Sequence, residues 1–118
     1  MTGLVIDLRD NPGGNLDTVC DILDLILPEG TIVSTKDKNG EGETYTSDEE
    51  HKLEIPLSVL TNGNSASASE IFAGAVQDYG VGTLVGTTTF GKGIVQQIFP
   101  LTDGTSIKLT ISEYFTPK

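Results

Sequence analysis

The feature that most constrains this chain is a pattern found in two places: a short apolar run, a turn rich in Asn, Gly and Pro, then apolar residues three and four apart. The first case opens with Leu4 to Leu8, read as a buried strand. Arg9-Asp10-Asn11-Pro12-Gly13-Gly14 then turns the chain, because Pro and paired Gly punctuate regular structure. Asn15 is a helix cap, and Leu16, Val19, Ile22, Leu23, Ile26 and Leu27 form an apolar stripe on a helix that ends before Pro28-Glu29-Gly30. The second case is a strand over Pro56 to Leu60, a turn at Thr61-Asn62-Gly63-Asn64, and a helix over Ser65 to Tyr79. That helix buries Ala68, Phe72, Ala75, Val76 and Tyr79. Further strands are expected at Thr31 to Thr35, Thr83 to Val85, Ile94 to Phe99 and Ser106 to Phe115. The last two flank a Thr102-Asp103-Gly104 turn, and Lys36 to Lys52 reads as a surface hairpin or loop. Strand-helix-strand units in this order predict an α/β fold with right-handed crossovers.

With 118 residues there is room for one domain, residues 1–118, whose core rests on Ile, Leu, Val and Ala because Trp is absent. Seventeen acidic against seven basic residues give a charge of −10. That charge argues against nucleic acid and against an anionic membrane surface, both of which need clustered Lys and Arg. One cysteine, Cys20, allows no internal disulfide and reads as a packed thiol. With one Cys and one His a structural metal site is not expected. No apolar run reaches the roughly 20 residues of a membrane-spanning helix. A core strand that starts within a few residues of Met1 suggests native sequence upstream. It also suggests an open sheet edge through which the chain could dimerise, swap elements or bind a partner.

Three segments carry chemistry. In Asn64-Ser65-Ala66-Ser67-Ala68-Ser69-Glu70 a serine stands at a strand-to-helix junction, where the helix dipole and open N–H groups favour negative charge. The same letters also fit a plain capping box, Ser67 to Glu70. In Thr89-Phe90-Gly91-Lys92-Gly93 a lysine sits between two glycines. Acting as a base at neutral pH would require Lys92 to lose about three pKa units, which burial can supply. Gln96 could orient it, although on this segment alone a solvated loop lysine beside a turn-forming Gly pair is the simpler reading. Asn11-Pro12-Gly13-Gly14 can offer backbone N–H groups to an oxyanion, with the Ala68 N–H as the other half, or be a plain turn. His51 lies among Asp48, Glu49, Glu50 and Lys52, and reads as a solvated surface residue rather than a triad member.

Taken together, the blocks Leu4 to Gly14, Ser65 to Ile71 and Thr89 to Gln97, with the closing Tyr114-Phe115-Thr116-Pro117, closely resemble the carboxyl-terminal processing (tail-specific) proteases. The resemblance covers nearly the whole chain. It implies a ClpP/crotonase-like α/β core, here without the family's upstream core and PDZ domain. It further implies Ser67 as nucleophile, Lys92 as base and Gln96 as its assistant. Gly13 and Ala68 would be the oxyanion donors, with Glu70 in support and Asp78 structural. No metal or organic cofactor is implied. The partners would be protein or peptide substrates recognised at their C-terminal tails, and the setting extracytoplasmic. Two other readings use the same scaffold: a non-catalytic module that binds a ligand or protein, and a crotonase-type acyl-CoA enzyme. Neither needs both Ser67 and Lys92.

Overall fold

The computed structural model describes residues 2–48, 54–91 and 94–117, apart from the side chains of 95–98, 111 and 112. The elements are β1 (Leu4–Asp7), α1 (Leu16–Asp24), β2 (Gly30–Lys36), β3 (Thr44–Ser47), β4 (Leu57–Thr61), α2 (Ala68–Tyr79), β5 (Thr83–Gly86), β6 (Ile94–Pro100) and β7 (Ser106–Phe115). They form two sheets. The first is parallel, in the order β1-β4-β5, with Leu4 opposite Leu57 and Ser58 opposite Thr83. The second, β3-β2-β7-β6, is antiparallel. The α/β class is as expected, and β4-α2-β5 is a parallel crossover unit. The β1-α1-β2 segment is not, because β2 leaves for the second sheet. Within the span read as a hairpin or loop, β3 pairs with β2 and seals its end through Ser47, whose buried Oγ donates to the Pro28 carbonyl at 2.5 Å.

Local chemistry sets the helix ends. The Asn15 side chain accepts from the Thr18 N–H at 3.0 Å, and Asp17 adds charge of the right sign to the first turn. Regular α1 stops at Asp24, earlier than the sequence suggested. The chain then tightens, with the Leu25 and Ile26 N–H groups bonding to Ile22 and Leu23 three residues back. That turn still buries Ile26 and Leu27, so the apolar stripe outlasts the helix. Cys20 is buried in the stripe, whereas Ile22 is 43% exposed. At the end of α2, Gly80 takes φ 64°, and the Val81 N–H reaches back to the Val76 carbonyl.

The core joins Val19, Leu23 and Leu27 from the first helical segment with Ile32, Val33, Val59, Phe72, Ala75 and Val76. Helix α1 packs on α2, β2 and β3, while α2 packs on β5 and β2. The Tyr79 hydroxyl, donating to the Thr31 carbonyl at 2.6 Å, pins the end of α2 to the second sheet. This packing presents the C-terminal ends of β1, β4 and β5 together. The loops that follow those strands build the site.

Candidate active site

Sequence patterning placed the second helix from Ser65, but it starts at Ala68. The three residues before it form a tight turn with Ser67 at the N-cap. Ser67 has φ 57° and ψ −119°. Positive φ is rare for a residue with a Cβ, and this ψ lies outside the left-handed helical well. Such a conformation costs about 1–3 kcal/mol and persists only where its surroundings enforce it. They do so here: the Ser67 carbonyl accepts from the Glu70 and Ile71 N–H groups at 2.8 and 3.0 Å, and its own N–H donates to Glu70 Oε1 at 3.1 Å. The partly exposed Ser67 therefore stands on a strained strand-to-helix corner, at the positive end of a 12-residue helix.

The loop after β1 lies directly on this corner. A Cβ on Gly13 would fall 2.7 Å from Ala66 O, 2.7 Å from Ala68 N and 2.8 Å from Ser67 Cβ, so only glycine fits. Gly13 also has φ 99°, which L-residues with side chains rarely adopt. The two expected oxyanion donors thus meet beside Ser67. The Ala68 N–H has no acceptor among the described residues, as suits the first residue of a helix. The Gly13 N–H donates to Asn11 Oδ1 at 2.9 Å. Beside these groups opens a cleft of about 360 Å³ with apolar walls from Ile6, Leu8, Val19, Ile22, Ala68 and Phe72.

Glu70 connects the corner to the third block. Its Oε2 accepts from Thr89 Oγ1 at 3.0 Å and from the Gly91 N–H at 2.7 Å, while Oε1 holds Ser67. The Phe90 N–H donates to the Ser65 carbonyl at 3.0 Å. The chain leading up to Lys92 is therefore fastened to the Ser67 corner. Lys92 and His51 lie outside the described residues, as does the side chain of Gln96, whose backbone pairs in β6 with Thr110. Behind Glu70, burial first and then the Glu70 carboxylate push the Tyr114 phenol upward. Asp78 and Tyr114 line a second, more polar cavity of about 570 Å³ together with Glu70 and Thr87 to Thr89.

Several participants went unnoticed in the sequence. Arg9 clamps Asp7 with one guanidinium edge, Nε to Oδ1 at 2.9 Å and Nη2 to Oδ2 at 2.8 Å, which holds the Asp7 carboxyl down at about 2. Asp10 takes φ 60° and binds two asparagine side chains, Asn62 and Asn64, across the site. Ser65 is wholly buried. In the sequence the two asparagines and Asp10 read only as turn formers. Their one signal was the density of such residues in two loops that topology brings together.

The whole chain, residues 1–118, matches the model of Peptidase family S41, and it belongs to that family. It is 50% identical over 98% of its length to a carboxyl-terminal-processing protease of Synechocystis sp., covering 27% of that protein. It is 46% identical, again over 98% of its length, to the carboxy-terminal processing protease CtpB of Bacillus subtilis, covering 24% of that protein. Among solved structures it resembles the photosystem II D1 C-terminal processing protease. The TM-score is 0.85 with 36% identity, over 99% of this chain and 31% of that one. The chain thus spans about a quarter of the curated relatives it matches.

Proposed function

We propose that this chain is the catalytic part of a serine endopeptidase in which Ser67 attacks the scissile carbonyl and Lys92 is the general base. The observation that carries the reading is the Ser67 corner itself. A serine held at φ 57° on a helix N-terminus, against the Gly13 backbone and beside the Ala68 N–H, is arranged for acyl transfer. A capping serine needs none of that strain.

In the proposed reaction Lys92, neutral in the resting enzyme, takes the Ser67 proton as Oγ adds to the carbonyl carbon. The carbonyl oxygen, now an anion, accepts from the Ala68 N–H. It also takes over the Gly13 N–H, because a full negative charge is a stronger acceptor than the Asn11 amide oxygen that holds it at rest. Collapse breaks the peptide C–N bond, and Lys92 returns the proton to the leaving amine. Water then repeats the sequence on the acyl-enzyme. Glu70 keeps the lysine loop and the serine corner in register, and Gln96 orients Lys92. The apolar cleft beside Gly13 and Ala68 takes an apolar substrate side chain next to the cut.

The likeness to proteases named for C-terminal processing supports proteins with accessible C-terminal tails as substrates, and an extracytoplasmic setting. A fluorophosphonate probe tests the chemistry in the full-length protein. Labelling and tail cleavage are expected for wild type, with both lost in Ser67→Ala and Lys92→Ala. Labelling that persists in Ser67→Ala overturns the assignment of the nucleophile.

A further inference from the structure

Ser65 is as deeply buried as any core residue, yet it is polar, and the proposed chemistry does not use it. Its Oγ donates to the Leu8 carbonyl at the end of β1 at 2.6 Å and accepts from the Asn62 N–H at 3.0 Å. Its carbonyl accepts from the Phe90 N–H at 3.0 Å. One residue on, the Ala66 N–H donates to the Asn11 carbonyl at 3.0 Å. Nearer solvent, the Asp10 N–H donates to Asn62 Oδ1 at 3.0 Å, and Asp10 Oδ1 accepts from Asn62 Nδ2 at 3.0 Å and Asn64 Nδ2 at 2.9 Å.

We infer that Ser65 is a positioning residue: its hydroxyl and carbonyl clamp the Leu8–Gly14 loop and the Phe90 segment onto the Ser67 turn, with Asp10 as the outer clasp. The inference rests on the peptidase reading for its catalytic consequence. Gly13 lies two residues beyond Asn11, and Ser67 two residues beyond Ser65. The bonds from Ser65 and Ala66 to Leu8 and Asn11 therefore set where the Gly13 N–H stands relative to Ser67. Removing the hydroxyl leaves the Asn62 N–H without its acceptor and cuts the link to Leu8. The Leu8 carbonyl keeps the Asn11 N–H at 3.2 Å, so the loop loses its tether and not its own turn. A donor released by a fraction of an ångström stabilises an oxyanion less while still admitting substrate.

The test is Ser65→Ala in the full-length protein, beside Ser47→Ala. Ser47 offers a matched buried hydroxyl bonded to the Pro28 and Gly30 carbonyls, in the second sheet and outside the loops that build the site. Ser65→Ala is expected to lower kcat by about 10- to 100-fold with KM within about twofold, and to weaken a peptide aldehyde inhibitor by the same factor as kcat. The Ala66 amide should exchange faster with solvent. Ser47→Ala should lower the melting temperature and leave kcat alone. If Ser65→Ala does not fold, Asp10→Gly suits φ 60° and removes the side chain that clasps the two asparagines. It should cost kcat several-fold, and Asp10→Asn, which keeps an acceptor oxygen, should restore it. Wild-type kcat and Ala66 protection in the Ser65 or Asp10 variant, or a kcat loss no larger than that of Ser47→Ala, overturns the inference. Should wild type hydrolyse no peptide, the peptidase reading fails instead, and should Ser67→Ala hydrolyse peptides at the wild-type rate, the nucleophile assignment fails; in either case Ala66 exchange still decides the clamp.

Discussion

Replacing Gly13 by alanine puts one methyl group where the structure has least room for it. The new Cβ would lie 2.7 Å from both Ala66 O and Ala68 N and 2.8 Å from Ser67 Cβ. The first two are backbone atoms of the tightest turn in the site and cannot rotate away. The dihedral adds to this, since φ 99° for a non-glycine residue costs about 1–3 kcal/mol. Overpacking against a rigid wall costs about the same again. The full sum is not expected as lost stability, because Asn11, Pro12 and Gly14 are exposed and the loop can lift. Part of the cost, about 1–3 kcal/mol, should appear as a melting temperature lowered by roughly 3–10 °C. The remainder appears as displacement of the Gly13 N–H, and losing one oxyanion donor costs about 100- to 1,000-fold in kcat. Gly14→Ala is the control, since a Cβ there meets nothing within 4 Å. Scanning calorimetry and peptide hydrolysis on the two variants of the full-length protein check both halves. If Gly13→Ala turns over as fast as Gly14→Ala, the loop does not hold the donor that the reasoning assigns to it.

Other outcomes follow from the same geometry. Glu70→Ala removes the acceptor of two N–H groups and one hydroxyl, and should cost about 1–3 kcal/mol by urea denaturation; Glu70→Gln, which keeps one acceptor oxygen, should cost less. Ser67→Gly and Ser67→Ala both remove the nucleophile and should be equally inactive. The glycine variant should nonetheless be the more stable of the two by about 1 kcal/mol, because it alone relieves the φ 57° strain; equal melting points would show that the corner is not strained. Arg9 holds the Asp7 carboxyl at about 2 rather than 3.8, so its contribution is present above about pH 4 and lost as pH falls toward 2. Asp7→Asn should therefore flatten the acid limb of the stability curve in that window, measured by urea midpoints across it. Burial, aided by Asp17 and Asp21, pushes the Cys20 thiol up to about 11, so Ellman's reagent at pH about 8 should react slowly with the native chain and rapidly once it is unfolded.

Much of this was legible in the letters, and what was not has identifiable causes. The strands other than β3 and both helices follow from apolar spacing, and the stripe Ala68, Phe72, Ala75, Val76 of α2 is buried as its periodicity requires. The end of α1 was misjudged because Leu25 to Leu27 continue the apolar pattern while the backbone has already tightened. Periodicity reports burial and not hydrogen-bond register. The pairing of β1 with β4 rather than β2 depends on long-range competition among strands, which no local pattern encodes. The residues left the meeting of Gly13 with Ala68 as one of two readings, since Pro-Gly-Gly alone is equally a plain turn, and the family resemblance favoured it. Ser65 and Asp10 escaped notice because a buried serine and a turn aspartate are ordinary until their partners, more than 50 positions away in sequence, are known.

Those long-range bonds explain why a strained serine can stand at the head of α2 at all. Left to local preference, Ser67 would relax to the extended dihedrals of an ordinary cap, such as the φ −76° and ψ 130° of Asn15 at the head of α1. The corner is over-determined instead. Glu70 holds the Ser67 N–H, Gly13 packs against its Cβ, and Ser65 ties the turn to β1 and to the Phe90 segment. Each bond is worth about 1 kcal/mol net, so several together exceed the strain of one residue. Apart from the local Glu70 bond, they run between loops that follow different strands, so they form only when the parallel sheet is in register. On this argument the order of dependence runs from Leu4 and Leu57 pairing in β1 and β4, through Ser65 and Asn62, to Ser67. Substitutions that loosen the β1–β4 ladder should reach activity before they unfold the chain.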